Sequence, residues 1–175
     1  MKGVARTDSL PPIETIREAL SYDAETGILR WAERRNHRTR RGAAVGSRTP
    51  KGHLRVVIDG QPILVHRVIW AHVYGTWPEN QIDHINGNPS DNRLSNLRPA
   101  TNRQNQCNAK TRVDNTTGRV GVYWAANVGK WRPMIRLNGK NVCLGLYETF
   151  PEAVAVREQA EREHYGEYAR PRGTP

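Results

Sequence analysis

Two runs decide how this chain is read: VHRVIWAHVYG, Val65–Gly75, and IDHINGNPSDNRLSNLRPATNRQNQ, Ile82–Gln106. In the first, Val65, Ile69 and Val73 are spaced by four, so His66 to Tyr74 is expected as a buried helix. Pro78 to Asn96 is dense in Asn, Asp, Gly and Pro and reads as a loop. Thr101-Asn102-Arg103-Gln104 then places Thr at an N-cap with Gln three residues on, the capping-box pattern that opens a helix. Asp83-His84 precedes the Asn-rich loop, Asn96-Leu97 follows it, and Asn105 falls in the first turn of the capped helix. These groups suit phosphodiester hydrolysis. A neutral histidine can take a proton from water near pH 7. A hard divalent ion, held by a carboxylate and an amide oxygen, can stabilise charge on the phosphate and the leaving oxygen. Adjacent residues of a regular strand point to opposite faces. Asp83 and His84 therefore require a distortion or a strand end, with metal on one side and nucleophile on the other.

Working outward, Ser9 to Leu20 is expected as a short helix, with Pro11 and Pro12 in its first turn and Ile13, Ile16 and Leu20 on one face. A turn at Asp23–Gly27 leads to a strand, Ile28–Trp31. The interval 30–55 holds nine basic residues and one acid, Glu33, and lacks apolar periodicity until Leu54, so its middle reads as a mobile loop. LRVVIDGQPILVH, from Leu54, is two β-rich runs around Asp59-Gly60 and predicts a hairpin. Toward the other end, DNTTG at 114–118 reads as a linker. Three strands are expected beyond it, Val120–Trp124, Trp131–Leu137 and Val142–Tyr147, with Asn138-Gly139 as a hairpin turn. Thr149-Phe150-Pro151-Glu152 is a second capping box. Ala153, Val156 and Ala160 stripe the helix after it, and Gly166 ends it.

The chain has 175 residues and a formal net charge of +10, from 27 Lys+Arg against 17 Asp+Glu. Only five of those 27 are lysine and 22 are arginine, the side chain whose planar fork matches phosphates and guanine edges. A polyanionic partner is the first expectation. Hydrophobic residues make up 37%, which points to thin cores. No run approaches the roughly 20 apolar residues of a membrane span. MKGVARTDSLPP has no apolar signal core, so a cytoplasmic protein is expected. Cys107 and Cys143 lie far apart without a CxxC, which argues against a zinc ribbon or disulfide scaffold.

On the DH pair, the Asn92/Asn96-Leu97 run and the T-x-x-x-N at the helix start, the chain resembles the HNH endonucleases, ββα-metal nucleases of phages and mobile introns, and in particular their homing-type members. The resemblance implies that His84 is the general base and that Asp83 and Asn105 hold one divalent metal ion. It implies that Asn96 braces the loop and orients the histidine. Asn105 stands where the last H of the name would be. With oxygen ligands only, Mg²⁺ or Mn²⁺ is favoured over Zn²⁺. His66 and Arg67 match the family's HR pair, either touching phosphate or making a structural contact under the helix. His37 and His53 are expected to meet DNA or solvent. LSYDAETGILRW and GHLRVVIDG resemble the N-terminal region of phage HNH proteins.

Residues 118–169 resemble the Apetala/ethylene-response-factor DNA-binding domain, a three-stranded antiparallel sheet on one helix. The matching pieces are Val120–Tyr123, Gly129–Trp131, Ile135-Arg136, Leu144-Gly145 and the alanine-bearing helix. Period two puts Trp131, Pro133, Ile135 and Leu137 against the helix and Arg132, Met134 and Arg136 on the open face. The base-reading positions differ from the plant domains: Val120, Tyr123, Met134, Asn141 and Cys143 stand there, and only Arg136 keeps an arginine. DNA binding with a different or weaker sequence preference follows.

The expectation is an α+β protein: a helix, hairpin and Arg-rich segment at 1–55, an HNH core at 56–112, a linker at 113–117, the DNA-binding module at 118–169 and a tail at 170–175. It would hydrolyse double-stranded DNA as a monomer or weak homodimer. DNA contacts are assigned to Arg34, Arg35, Arg38, Arg40, Arg41, His66, Arg67, Arg119, Arg132 and Arg136. If phage-encoded, it would act in the host cytoplasm. The rival is a DNA-binding regulatory protein with a relict nuclease site. An RNA-binding protein would show exposed aromatic platforms; with one Phe and most Trp assigned to cores, it ranks last.

Overall fold

A computed structural model describes residues 10–34, 39–108 and 115–169. The chain divides into two compact units, Met1–Asn102 and Arg103–Pro175. Both combine helices with small antiparallel sheets, so the fold is α+β. The stretch 113–117 falls inside the second unit, and its first two residues lie outside the described ones.

In the first unit, helix α1 (Ile13–Ala19) is shorter than its apolar spacing suggests. Leu20 takes an extended backbone and instead begins strand β1 (Leu20–Asp23), which pairs antiparallel with β2 (Ile28–Trp31). The turn between them is tied by Asp23 Oδ1, which accepts from the amides of Glu25 and Thr26. Strands β3 (Ser47–Arg48), β4 (Leu54–Ile58) and β5 (Gln61–Leu64) form one antiparallel sheet. Asp59 and Gly60 both have positive φ, 49° and 77°, as a two-residue hairpin turn of this handedness requires. Helix α2 (Val65–Tyr74) follows directly and ends on Gly75 in the left-handed conformation. Ile16, Leu20, Leu29, Val56, Ile58, Val65, Val68 and Ile69 meet in the core of this unit.

The stretch expected as loop from Pro78 to Asn96 contains regular structure. Strand β6 (Gln81–His84) pairs antiparallel with β7 (Leu97–Ala100), and a short 3₁₀ turn spans Leu94–Asn96. QIDH carries one aliphatic residue and no alternation, and LRPA contains a proline, so neither advertises a strand. Their register comes from the fold: Asp83 stands opposite Arg98, and His84, the last residue of β6, opposite Leu97.

The second unit opens with α3 (Asn102–Cys107), which begins at the last residue of the first. Strands β8 (Val122–Ala125), β9 (Lys130–Leu137) and β10 (Lys140–Cys143) form an antiparallel sheet in the order β10-β9-β8, and α4 (Phe150–Tyr165) packs on it. Asn138 and Gly139 close the β9–β10 turn with φ of 50° and 79°. Thr149 and Glu152 complete both bonds of the capping box. Val122, Pro133 and Ile135 are fully buried, together with Ala153 and Ala160 of α4. The third strand is displaced from the expected Val142–Tyr147. The strand ends at Cys143, although the Leu144 amide still donates to the Pro133 carbonyl, and Tyr147 returns to bridge Trp131. Trp124 is half exposed at its contact with Trp131 rather than buried, and Tyr123 is equally open.

Candidate functional site

The site is built at the end of β6. His84 is buried, and its Nε2 lies 3.0 Å from Asn92 Oδ1. An amide oxygen can only accept, so this contact puts the ring proton on Nε2 and the lone pair on Nδ1. Burial holds the histidine below its ordinary 6.5 against the opposing pull of the Asn92 bond and the Asp83 and Asp91 charges, which keeps the ring neutral at physiological pH. Asn92 is itself fixed. Its carbonyl accepts from Tyr22 Oη at 3.0 Å, and a Cβ on Gly27 would collide with the backbone of Asn92 and Arg93. The β1–β2 turn therefore presses on the loop from behind, and only glycine allows that approach.

Asn96 organises the loop. Its Oδ1 accepts from the Asn86 amide at 2.9 Å, and its Nδ2 donates to Asn86 Oδ1 at 3.0 Å and to the Asp91 carbonyl at 2.8 Å. Its own carbonyl accepts from the Ile85 amide, the first residue after β6. Asp91 binds both Asn86 and Arg93, and the Arg93 bond leads in holding its carboxyl down at about 2. Asn96 thus braces the segment that starts at His84, while the side chain on the imidazole is Asn92, which sequence reasoning noticed in the motif but gave no role.

Asp83 is buried beside His84, and its Oδ2 accepts from Arg98 Nε at 3.0 Å and Nη2 at 2.8 Å. This is the cross-strand pair of β6 and β7. Asn105 is half-buried on α3, in the second unit.

A third feature is a cluster of rings. His53, His66 and His84 have centroids 5.0 to 5.5 Å apart. Each offers a nitrogen, and those atoms all lie within 4.8 Å of one another, close enough to hold a metal ion. His66 is pushed well below 6.5, first by burial and then by its neighbouring histidines and Arg67. His53, expected to meet DNA or solvent, instead packs on the other two rings. Its distance of 31 residues from His84 left no local motif to find it by.

The remaining assignments divide by exposure. Arg34, Arg40 and Arg41 are exposed; Arg35 and Arg38 lie outside the described residues. His66 is buried and packs against the rings of His53 and His84, which takes it away from a phosphate contact. Arg67 donates to the carbonyls of Pro78 and Asn80 and so ties α2 to the start of β6. Arg119 does not face DNA. It is buried and bonds Glu161 at 2.9 Å, and Arg157 reaches the other oxygen of that carboxylate at 3.0 Å. Its place beside Gly121, at the entry to β8, points it toward α4 instead of outward; a Cβ on Gly121 would stand 2.5 Å from Arg157 Nε. On the other face of the sheet, Arg132 is half-buried and Arg136 exposed. With Tyr123, Met134 and Asn141 they help line a cleft of about 1160 Å³.

With this geometry in place, the comparisons with known proteins define the class. Residues 64–107, which run from the end of β5 through α3, match the HNH endonuclease family. Protein 3.8 of Escherichia phage T7 is 35% identical over 106 residues, covering 60% of this chain and 87% of that protein. The chain belongs to the family of that phage protein and carries an HNH endonuclease domain. No solved structure matches it. Among the described residues, no helix is long and apolar enough to cross a membrane.

Proposed function

We propose that the chain is a metal-dependent endonuclease that hydrolyses the phosphodiester bonds of double-stranded DNA, with His84 as general base. The observation that carries this reading is the buried, neutral His84 whose Nε2 is committed to Asn92, inside the stretch that matches the HNH family. An imidazole so pinned has one basic nitrogen with one orientation, which is what proton abstraction from water requires. Asn92 is then a positioning residue, and Asn96 fixes the loop that carries it.

The donor chemistry fits a hard divalent ion. Asp83 supplies a buried carboxylate next to the base, and the sequence motif gives Asn105 as a second oxygen donor. Mg²⁺ or Mn²⁺ suits oxygen ligands. When bound, the ion supplies positive charge for the scissile phosphate and the departing 3′ oxygen. Arg132 and Arg136, with Arg34, Arg35, Arg38, Arg40 and Arg41, would hold the duplex by its phosphates. One catalytic centre serves one strand, so a monomer nicks.

One observation favours a second reading, a DNA-binding regulatory protein with a relict site. Arg98 grips Asp83, and a guanidinium there competes with a cation for the carboxylate. Supercoiled plasmid incubated with the protein and Mg²⁺ or Mn²⁺ separates the two. Open circles that vanish in EDTA support the nuclease; retarded but intact plasmid supports the regulator.

A further inference from the structure

The three-histidine cluster has chemistry that the Asp83 centre does not explain. His66 and His84 are buried, His53 half-buried, and their ligand atoms stand within 4.8 Å. His66 Nδ1 has no hydrogen-bond partner although it is closed off from solvent. A structural histidine is satisfied otherwise: His72 reaches the Leu20 carbonyl at 3.2 Å. A buried nitrogen without a partner, on a ring packed against two more imidazoles, asks for a ligand. The rings are held in place by the backbone around them. The Thr49 amide donates to the His53 carbonyl at 2.7 Å, and Gly52, next to His53, lies against Pro89 so closely that a Cβ would come within 2.9 Å of it. His66 sits on α2 and His84 at the end of β6.

We propose that His53, His66 and His84 form a three-nitrogen site for a borderline transition ion of the Zn²⁺ class, and that its occupation silences the nuclease. Imidazole nitrogens prefer such ions to Mg²⁺. Zn–N bonds of about 2.0–2.1 Å place nitrogens some 3.4 Å apart in a tetrahedral shell, so the rings need only close by about an ångström. Three protein ligands leave a fourth position for water. A neutral imidazole has a single lone pair. If His84 gives it to the ion, it has none left for the attacking water. The silencing rests on His84 being the base, as proposed above; the site itself does not.

The test uses the full chain stripped with EDTA. Co²⁺, a spectroscopic stand-in for Zn²⁺, is titrated in and followed by its visible absorption. The wild type is expected to take up about one ion per chain with the intense bands of tetrahedral nitrogen ligation, displaced by Zn²⁺. His53→Ala and His66→Ala should each weaken uptake at least about tenfold, whereas His164→Ala, on the exposed side of α4, should not. Circular dichroism checks folding, and His53, half-buried in the segment before β4, keeps the test valid if the His66 variant unfolds. Absence of the bands in the wild type, or their survival in both variants, overturns the site. In the second arm Zn²⁺ is added to plasmid nicking supported by excess Mg²⁺. Inhibition of the wild type, requiring at least about tenfold more Zn²⁺ in His53→Ala, supports silencing; equal inhibition of both overturns it. Co²⁺ uptake by a wild type that nicks nothing under any metal upholds the site and overturns both the silencing and the nuclease reading.

Discussion

Asn92 decides which nitrogen of His84 is basic, and Tyr22 with Gly27 decides where Asn92 stands. Partners that orient a working histidine are worth about 10–100-fold when removed. Asn92→Ala is therefore expected to slow single-turnover nicking by that factor while DNA affinity in gel retardation is unchanged; an unaltered rate would remove Asn92 from the mechanism. Burial has a second consequence. His66 and His84 both lie below 6.5 in the fold, whereas in the unfolded chain each returns to about 6.5. Below that value the unfolded state binds more protons, so stability falls as pH drops; well above it both forms are neutral and the contribution is flat. The Tm in EDTA should decline from pH 7 to pH 5. A Tm that holds or rises over that interval would contradict the assignment of neutral buried rings.

At the scale of elements, β9 carries the DNA-binding proposal for the second unit. Its alternate residues Pro133 and Ile135 are buried on the helix side, which leaves Arg132 and Arg136 opposite Tyr123 and Asn141 on the other. Replacing both with glutamate reverses two charges, lowering the net charge by four, without touching that core. Duplex affinity is expected to fall, and the slope of log affinity against log salt to flatten by about 2; an unchanged salt slope would take this face out of the interface. Elements of this kind were legible because their signals are local. Asn138-Gly139, Asp59-Gly60 and the Thr149/Glu152 box each specify a backbone geometry within four residues, and the structure has all three. β6 and β7 were not, since QIDH and LRPA carry no local strand pattern and pair only in the fold, where Asp83 stands opposite Arg98. The same division holds at the site. Asp83, His84 and Asn96 lie in one motif, and the loop bracing by Asn96 has its geometry there. His53 and the buried pairing of Arg119 with Glu161 depend on residues brought together across 31 and 42 positions, which no spacing rule reports.

For the molecule as a whole, a net charge of +10 draws any duplex by counterion release and by itself carries no sequence preference. Binding to DNA therefore does not distinguish a nuclease from a regulator, and the buried Asp83–Arg98 pair sharpens the question. Chemistry does distinguish them. The most direct measurement is the first-order rate of plasmid nicking by His84→Ala beside wild type, at protein concentrations that saturate the DNA for both. General base catalysis contributes about 10²–10⁴-fold. The account predicts a fall within that range, with retardation of the plasmid unaltered. A variant that cuts within a few-fold of the wild type would mean that His84 is not the base, and that the pinned imidazole at the end of β6 serves some other end.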